Sequence, residues 1–174
     1  MSRAARISPL GVVAVLAAAG VLTGCQSDLE ATRAPAELDR PYFDCKVQPV
    51  LTKNCSQLAC HGAPDPAGRY FRIYGRNRLR DDGVLTGNPA MRGAERDHNF
   101  DAARAFVDLA HPEDSLLLRK PLEQDAGGYF HRGATLYGGA NVFRDTTDPE
   151  YQIIAGWIDG AMEVPTCQEP GANL

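Results

Sequence analysis

Apolar residues recur at helical spacing in several stretches of the chain, and polar or turn-rich segments separate these stretches. The first helix is expected over residues 42–51, with Pro49 either starting or kinking it. A second, short helix is expected over residues 101–109, and a third over residues 111–119. Residues 81–99 lack this spacing and are expected to form a loop. The pattern therefore predicts a core made from short helices.

The strongest helix signals lie near the end of the chain. Asp148 is a typical N-cap, Pro149 suits the first helical position, and Gly160 follows the expected end. The apolar residues of this segment recur on one face, which predicts a helix packed against the core. They are Tyr151, Ile154, Trp157 and Ile158.

The first 24 residues have the pattern of an export signal. Two arginines precede an apolar run over residues 10–22, which is long enough for a signal peptide but short for a membrane span. The run ends in Leu-Thr-Gly directly before Cys25, which resembles a bacterial lipobox. Acyl chains on Cys25 would anchor the protein to a membrane, whereas an uncleaved signal anchor is the alternative. The predicted parts are a signal peptide (1–24), a lipidated tether (25–40) and one folded domain (41–174).

The composition is that of a globular protein with a single core. The chain has 174 residues, of which 44% are hydrophobic and 23% are charged. Its formal net charge is −4, and removal of the two signal-peptide arginines would make the mature protein more acidic. An acidic chain without a dense basic run is not expected to bind nucleic acid. The predicted location is the bacterial cell envelope, with a lipid anchor on the periplasmic or outer-membrane side.

The candidate chemistry centres on Cys55, Cys60 and His61. A covalent haem-attachment motif has two cysteines separated by two residues and a histidine directly after the second. Here Cys60 and His61 are adjacent, so Cys60 can form a thioether while His61 supplies an imidazole to the iron. Four residues separate the two cysteines, so a loop or bulge must carry Cys55 back toward the porphyrin. A Cys55–Cys60 disulfide beside an ordinary histidine is the alternative, and a zinc site would lack further ligands.

The predicted compartment is oxidising and favours disulfides over free thiols, so each of the five cysteines needs an assigned role. Cys25 is assigned to lipid, and Cys55 and Cys60 are assigned to haem. Cys45 and Cys167 remain, and we predict that they form a disulfide across most of the folded domain. A Cys45–Cys55 or Cys55–Cys60 bridge is the alternative.

Residues 69–80 interleave five arginines with aromatic residues. A guanidinium group matches a carboxylate, so Arg72 is a candidate partner for a haem propionate. Tyr70, Phe71 and Tyr74 are candidates for a wall beside the haem ring. A solvated face with a few core aromatic residues is the alternative.

Three blocks of the chain together resemble the planctomycete-type cytochrome c domain. They are residues 43–62 with the cysteines and His-Gly, residues 112–120 (Pro-Glu-Asp-Ser-Leu-Leu-Leu-Arg-Lys) and residues 131–161 with Asp-Pro-Glu-Tyr and Trp-Ile-Asp-Gly-Ala. The resemblance covers residues 42–163. It implies an all-α, cytochrome c-like helical domain with long loops, in which the first and last helices pack together around one haem c.

The resemblance also implies a second axial ligand. Relatives with this tail read His-Gly-Gly, and their histidine lies opposite the proximal one. That role is carried to His131, although Arg132 stands here in place of the first glycine. Met91 and Met162 are the competing ligands, and an open or water-bound iron is the remaining alternative.

The function expected from these features is electron transfer in the bacterial envelope by a lipid-anchored, monohaem c-type cytochrome that meets redox partner proteins. The sequence has no nucleophile elbow and no carboxylate pair with acid–base spacing, so no enzyme activity is expected. Two alternatives stay open. One is a haem-free structural or adhesive lipoprotein with a Cys55–Cys60 disulfide, and the other is a haem enzyme or ligand sensor with an open iron.

Overall fold

A computed structural model describes the folded domain except for several loops. All of its described residues belong to one compact unit, residues 33–174. The predicted signal peptide, Cys25 and Cys167 lie outside the described residues. The described residues are 37–63, 71–76, 78, 80, 90–132 and 141–162.

The described part of the domain is helical. It contains an isolated parallel bridge between Leu122 and Phe143 but no strand, so the predicted all-α class is confirmed at this level. None of its helices is long and apolar enough to cross a membrane. The α-helices are α1 (Arg40–Tyr42), α2 (Gln48–Asn54), α3 (Gly93–Arg104), α4 (Leu116–Arg119) and α5 (Pro149–Ile158). A π-helical turn (Phe43–Val47) joins α1 to α2, and 3-10 turns occupy Pro112–Asp114 and Gln124–Ala126.

The first helical segment runs without interruption from α1 through the π-helical turn into α2, because the junction residues keep helical backbone angles. It begins at Arg40, where the Asp39 side chain caps the backbone N–H of Tyr42. Pro49 lies in the first turn of α2, so the expectation that it starts the α-helix proper is confirmed, although the helical segment itself begins at Arg40. Its ring crowds the carbonyl group four residues earlier, at Cys45, and the wider π-helical turn lies at that position.

The core forms where α5 packs on the first helical segment. The rings of Phe43 and Trp157 lie 5.1 Å apart, and Phe100 of α3 lies 5.2 Å from Phe43. The indole N–H of Trp157 donates a hydrogen bond of 2.9 Å to the Asp39 carbonyl group. The expected packing of the first and last helices is thus confirmed, and it joins residues more than one hundred positions apart.

The ends of α5 follow the sequence signals. The Asp148 carboxylate accepts hydrogen bonds from the backbone N–H groups of Glu150 and Tyr151, and Gly160 has a φ of 90°. Glu150 also binds the end of α2, because its carboxylate accepts hydrogen bonds from Lys53 at 2.7 Å and Asn54 at 2.8 Å. The predicted apolar face is buried in the core: Tyr151, Ile154, Trp157 and Ile158.

Helix α3 was not expected at its observed position. The loop predicted over residues 81–99 is wrong from residue 93 onward, and the short helix predicted over residues 101–109 ends at residue 104. The reason is that α3 buries polar side chains, which hide its periodicity. Glu95 forms a buried ion pair with Arg80, and buried Asn99 bonds the Gln48 side chain and the Tyr74 backbone.

The helix predicted over residues 111–119 is divided into two short pieces. Ser115 has backbone angles of −52° and 126°, which end the 3-10 turn before α4 begins. Its hydroxyl group accepts a hydrogen bond of 2.9 Å from the backbone N–H of Asp108. This side chain therefore stabilises a break that apolar spacing alone does not reveal.

Candidate functional site

The residues between the two cysteines fold into a closed turn at the end of α2. The backbone N–H groups of Cys55 and Ser56 both donate to the Leu51 carbonyl group, at 2.9 and 3.1 Å. The N–H of His61 then donates to the Cys55 carbonyl group at 3.0 Å. This turn brings Cys55 back beside His61, as the longer spacing between the cysteines requires.

Close backbone contacts leave no room for other shapes of this turn. A β-carbon on Gly62 would lie 1.9 Å from the Ser56 carbonyl oxygen, so only glycine fits. Ser56 is fully buried, and its hydroxyl group donates to the Thr52 carbonyl group at 2.5 Å. The N–H groups of Cys60 and Gly62 both donate to the Gln57 carbonyl group at 2.9 Å. The turn therefore holds Cys60 and His61 in a defined backbone position.

Cys55 and Cys60 both carry thiol groups, and Cys45 is disulfide-bonded. The alternative bridges, Cys45–Cys55 and Cys55–Cys60, are thus not formed. The predicted partner of Cys45 is Cys167, which lies outside the described residues, so that pairing stays a prediction. Burial, with smaller effects from Cys60 and Glu150, raises the pKa of the Cys55 thiol to about 12. Cys55 is therefore protonated at neutral pH.

Residues 71–75 run beside the turn. The N–H of Ile73 donates to the His61 carbonyl group at 2.8 Å, which ties the two segments together. The Phe71 ring meets the His61 ring edge-on with centroids 4.9 Å apart, and Phe106 lies 5.2 Å from Phe71. Phe71 is thus an aromatic wall directly beside the histidine.

Arg72 and Tyr74 of this segment contact each other. The guanidinium group of Arg72 stacks over the Tyr74 ring at 4.3 Å and donates to its hydroxyl group at 3.1 Å. The Tyr74 ring also meets the ring of His98 on α3 at 5.1 Å. Their assignments to the haem propionates and to the haem wall stay predictions.

A second ordered segment presents His131. The bridge between Leu122 and Phe143 is formed by hydrogen bonds from the N–H of Glu123 to the Phe143 carbonyl group and from the N–H of Phe143 to the Pro121 carbonyl group, both 2.9 Å. The N–H of Tyr129 donates to the Arg119 carbonyl group at 2.7 Å, just before His131. These bonds fix the backbone that leads to the histidine.

The side chain of Asn141 holds the His131 ring. Its Oδ1 lies 3.1 Å from His131 Nδ1, and its Nδ2 donates to the Leu122 carbonyl group at 2.8 Å. Its backbone N–H donates to the Glu123 carboxylate at 2.5 Å. The sequence gives no signal for this role, because no local motif links Asn141 to a histidine ten positions earlier.

The two segments bring the rings of His61 and His131 close together and nearly parallel. Their ring centroids lie 6.1 Å apart, and their planes differ by 6°. A metal ion bound between two imidazoles would hold the centroids about 6 Å apart, since each bond is about 2 Å long and each nitrogen lies about 1 Å from its centroid. The spacing of the two rings therefore equals that of two imidazoles that bind one metal ion through their ring edges.

The competing methionines occupy different environments. Met91 is buried with 4% of its surface exposed and lies directly before α3, whereas Met162 is 80% exposed after α5.

Large apolar side chains near the histidine pair are exposed to solvent. Leu58, in the turn that carries His61, is 51% exposed, and Phe130, next to His131, is 63% exposed. Tyr129 is 41% exposed. Each of the three lies within three positions of His61 or His131 in the sequence.

No group of three or more His, Cys, Asp or Glu side chains could hold a metal ion within the described ranges. The predicted weaker alternative, a zinc site at Cys55, Cys60 and His61, therefore has no support there. A porphyrin supplies four ligands itself and needs only two from the chain. No family model, curated protein or solved structure matches this chain.

Proposed function

We propose that the protein is a c-type cytochrome that binds one haem between His61 and His131 and transfers electrons in the bacterial envelope. The observation that carries this proposal is the distance of 6.1 Å between the two nearly parallel imidazole rings. Among the described residues, the domain brings together two histidines that lie 70 positions apart in the chain. Both belong to segments that backbone hydrogen bonds hold in place.

The turn before His61 supports covalent attachment. Cys60 directly precedes the proposed ligand, and the closed turn places the Cys55 backbone next to His61. Thioether formation needs thiols rather than a disulfide, and both cysteines carry thiols. The proposed haem would thus be bound through sulfur on one side and through two imidazoles at the iron.

Apolar side chains beside the two histidines support the proposal that a large apolar ligand binds there. Phe71 lies against the His61 ring, and Leu58 and Phe130 are exposed close by in sequence. When bound, haem supplies the reversible one-electron chemistry of its iron. The chain holds the iron by two imidazoles and shields it with apolar side chains. Two strong nitrogen ligands favour electron transfer over ligand sensing, which needs an open iron position.

The remaining parts of the proposal come from the sequence. Acylation of Cys25 would hold the domain at an envelope membrane, and its acidic surface would suit basic redox partner proteins. The protein then acts as a carrier and not as an enzyme. The haem-free lipoprotein is a weaker candidate, because the Cys55–Cys60 disulfide on which it was based is not formed.

The experiment is to express the chain from Gln26 onward together with a cytochrome c maturation system, and to record its intact mass and pyridine haemochrome spectrum. The expected result is a mass increased by one haem and a c-type absorption band. The position of that band distinguishes one thioether from two.

The matched variants are His61→Ala, Cys60→Ala and the exposed His111→Ala. Cys60→Ala is expected to lose covalent haem and His61→Ala to lose most of it, whereas His111→Ala keeps the full amount. An unmodified mass for the parent protein after successful maturation of a known cytochrome would contradict the proposal.

A further inference from the structure

Asn141 determines which nitrogen of His131 can bind a ligand. Two of its side-chain atoms are engaged: Oδ1 with His131 Nδ1 at 3.1 Å, and Nδ2 with the Leu122 carbonyl oxygen at 2.8 Å. A carbonyl oxygen only accepts hydrogen bonds, so the atom of Asn141 that faces Leu122 must be the NH₂ group. The orientation of the amide is therefore fixed by the backbone.

The orientation of this amide fixes the tautomer of His131. Because Oδ1 of Asn141 is also only an acceptor, the His131 Nδ1 beside it must carry the hydrogen. The lone pair of the neutral ring then lies on Nε2. Metal-bound histidines commonly donate their other ring N–H to a carbonyl or carboxylate group in this way.

The segment that holds Asn141 is itself constrained. The backbone N–H of Asn141 donates to the Glu123 carboxylate, and the bridge between Leu122 and Phe143 lies directly beside it. Asn141 thus has three hydrogen bonds: its side-chain amide bonds His131 and Leu122, and its backbone N–H bonds Glu123.

We infer that Asn141 is the positioning residue for the sixth iron ligand, since it keeps the hydrogen of His131 on Nδ1, leaves the Nε2 lone pair for the iron and makes this imidazole a stronger electron donor. The inference rests on the proposed function. A hydrogen bond accepted from Nδ1–H raises the basicity of Nε2, which stabilises ferric iron more than ferrous iron. Asn141 therefore lowers the reduction potential of the bound haem.

The test compares the reduction potentials of the haem-loaded parent protein, Asn141→Leu and Asn141→Asp. Leucine has a similar size but no hydrogen-bond acceptor, so the reduction potential of Asn141→Leu should be higher than that of the parent. A tenfold change in the affinity for ferric relative to ferrous iron shifts the potential by about 59 mV. The anionic aspartate is a stronger acceptor, so its potential falls below that of the parent. The control is Gln124→Leu, at the exposed position next to Glu123, and it should leave the reduction potential unchanged.

The two variants should shift the reduction potential in opposite directions if Asn141 acts through its hydrogen bond to His131. If they only loosened the structure around His131, both potentials would move in the same direction. An unchanged potential in Asn141→Leu, or equal shifts of the same sign, would overturn the inference. If the parent binds no haem, the proposed function and the iron-ligand role of His131 fail together. The ¹⁵N shifts of His131 in the haem-free chain at alkaline pH then test the remaining part of the inference, that Asn141 sets the tautomer. The parent should then show hydrogen on Nδ1, and Asn141→Leu should not. Hydrogen on Nε2 in the parent would overturn it.

Discussion

A β-carbon on Gly62 would lie 1.9 Å from the carbonyl oxygen of Ser56. This contact is far shorter than two atoms can tolerate, and both partners are part of the turn that carries Cys60 and His61. The turn thus depends on a glycine directly after the proposed ligand.

Gly62→Ala is predicted to open this turn. Overpacking against fixed backbone costs about 1–3 kcal/mol, and the cost falls on the segment that presents His61. We expect a lower free energy of unfolding in urea and a smaller yield of haem-bound protein. The control is Gly93→Ala at the start of α3, where an added β-carbon meets nothing within 4 Å. Equal stability of the two variants would contradict the geometry of the turn.

Trp157→Ala is predicted to destabilise the whole domain. The indole is fully buried between Phe43 and Phe100, and such truncations cost about 3–5 kcal/mol. Trp157→Phe keeps much of the packing but loses the hydrogen bond to Asp39, so its loss should be smaller. Urea unfolding followed by circular dichroism measures both. Native-like stability of Trp157→Ala would show that α5 does not pack on the first helical segment.

The ion pair of Arg80 and Glu95 predicts a pH dependence of stability. Burial opposes ionisation of Glu95, but hydrogen bonds from Arg80 and Arg92 outweigh it and lower the pKa of Glu95 from 4.5 to about 2. A lowered folded-state pKa gives stability that is complete above the unfolded pKa and is lost as pH falls through the folded one. The contribution, about 3 kcal/mol, therefore disappears between about pH 5 and pH 2.

Glu95→Gln tests this dependence. The variant should be less stable than the parent at pH 7 by about 3–5 kcal/mol, because the Arg80 charge stays buried without its partner. The difference between the two proteins should shrink as the pH falls from 5 to 2. The exposed Glu113→Gln is the control and should follow the parent throughout. A stability difference between the parent and Glu95→Gln that stays constant from pH 5 to pH 2 would contradict the lowered pKa of Glu95.

Cys55 is predicted to resist alkylation in the haem-free chain. Its pKa of about 12 leaves very little thiolate at pH 8, so it should react at least about a hundredfold more slowly than a thiol with the usual pKa near 8.5. Mass spectrometry of peptides after timed treatment with iodoacetamide measures the rate. Unfolding in urea should restore ordinary reactivity. If iodoacetamide modified Cys55 as fast in the folded chain as in the unfolded chain, the thiol would not be buried.

Sequence reasoning reached the elements whose signals are local. The caps and apolar face of α5 are contiguous in the chain, so the position of the helix followed from Asp148, Pro149 and Gly160. Helix α3 could not be found in this way, because Glu95 and Asn99 are buried by partners that lie far away in sequence.

The residues of the candidate site also divide into those with a local sequence signal and those without one. Cys55, Cys60 and His61 form a local motif, so their closeness could be expected from spacing alone. The meeting of His61 with His131 depends on two separate segments and was expected only from a family resemblance. Asn141 had no signal at all, because no local motif relates it to His131, ten positions earlier in the chain.

The most direct test of the proposed haem site is electron paramagnetic resonance of the oxidised, haem-loaded protein. The angle of 6° between the His61 and His131 rings predicts a low-spin ferric iron with two nearly parallel imidazoles. Such an iron gives a rhombic spectrum with three resolved g-values, and His131→Ala should convert it to another form. A high-spin spectrum of the parent, or a low-spin spectrum that His131→Ala leaves unchanged, would show that these two histidines do not bind the iron together.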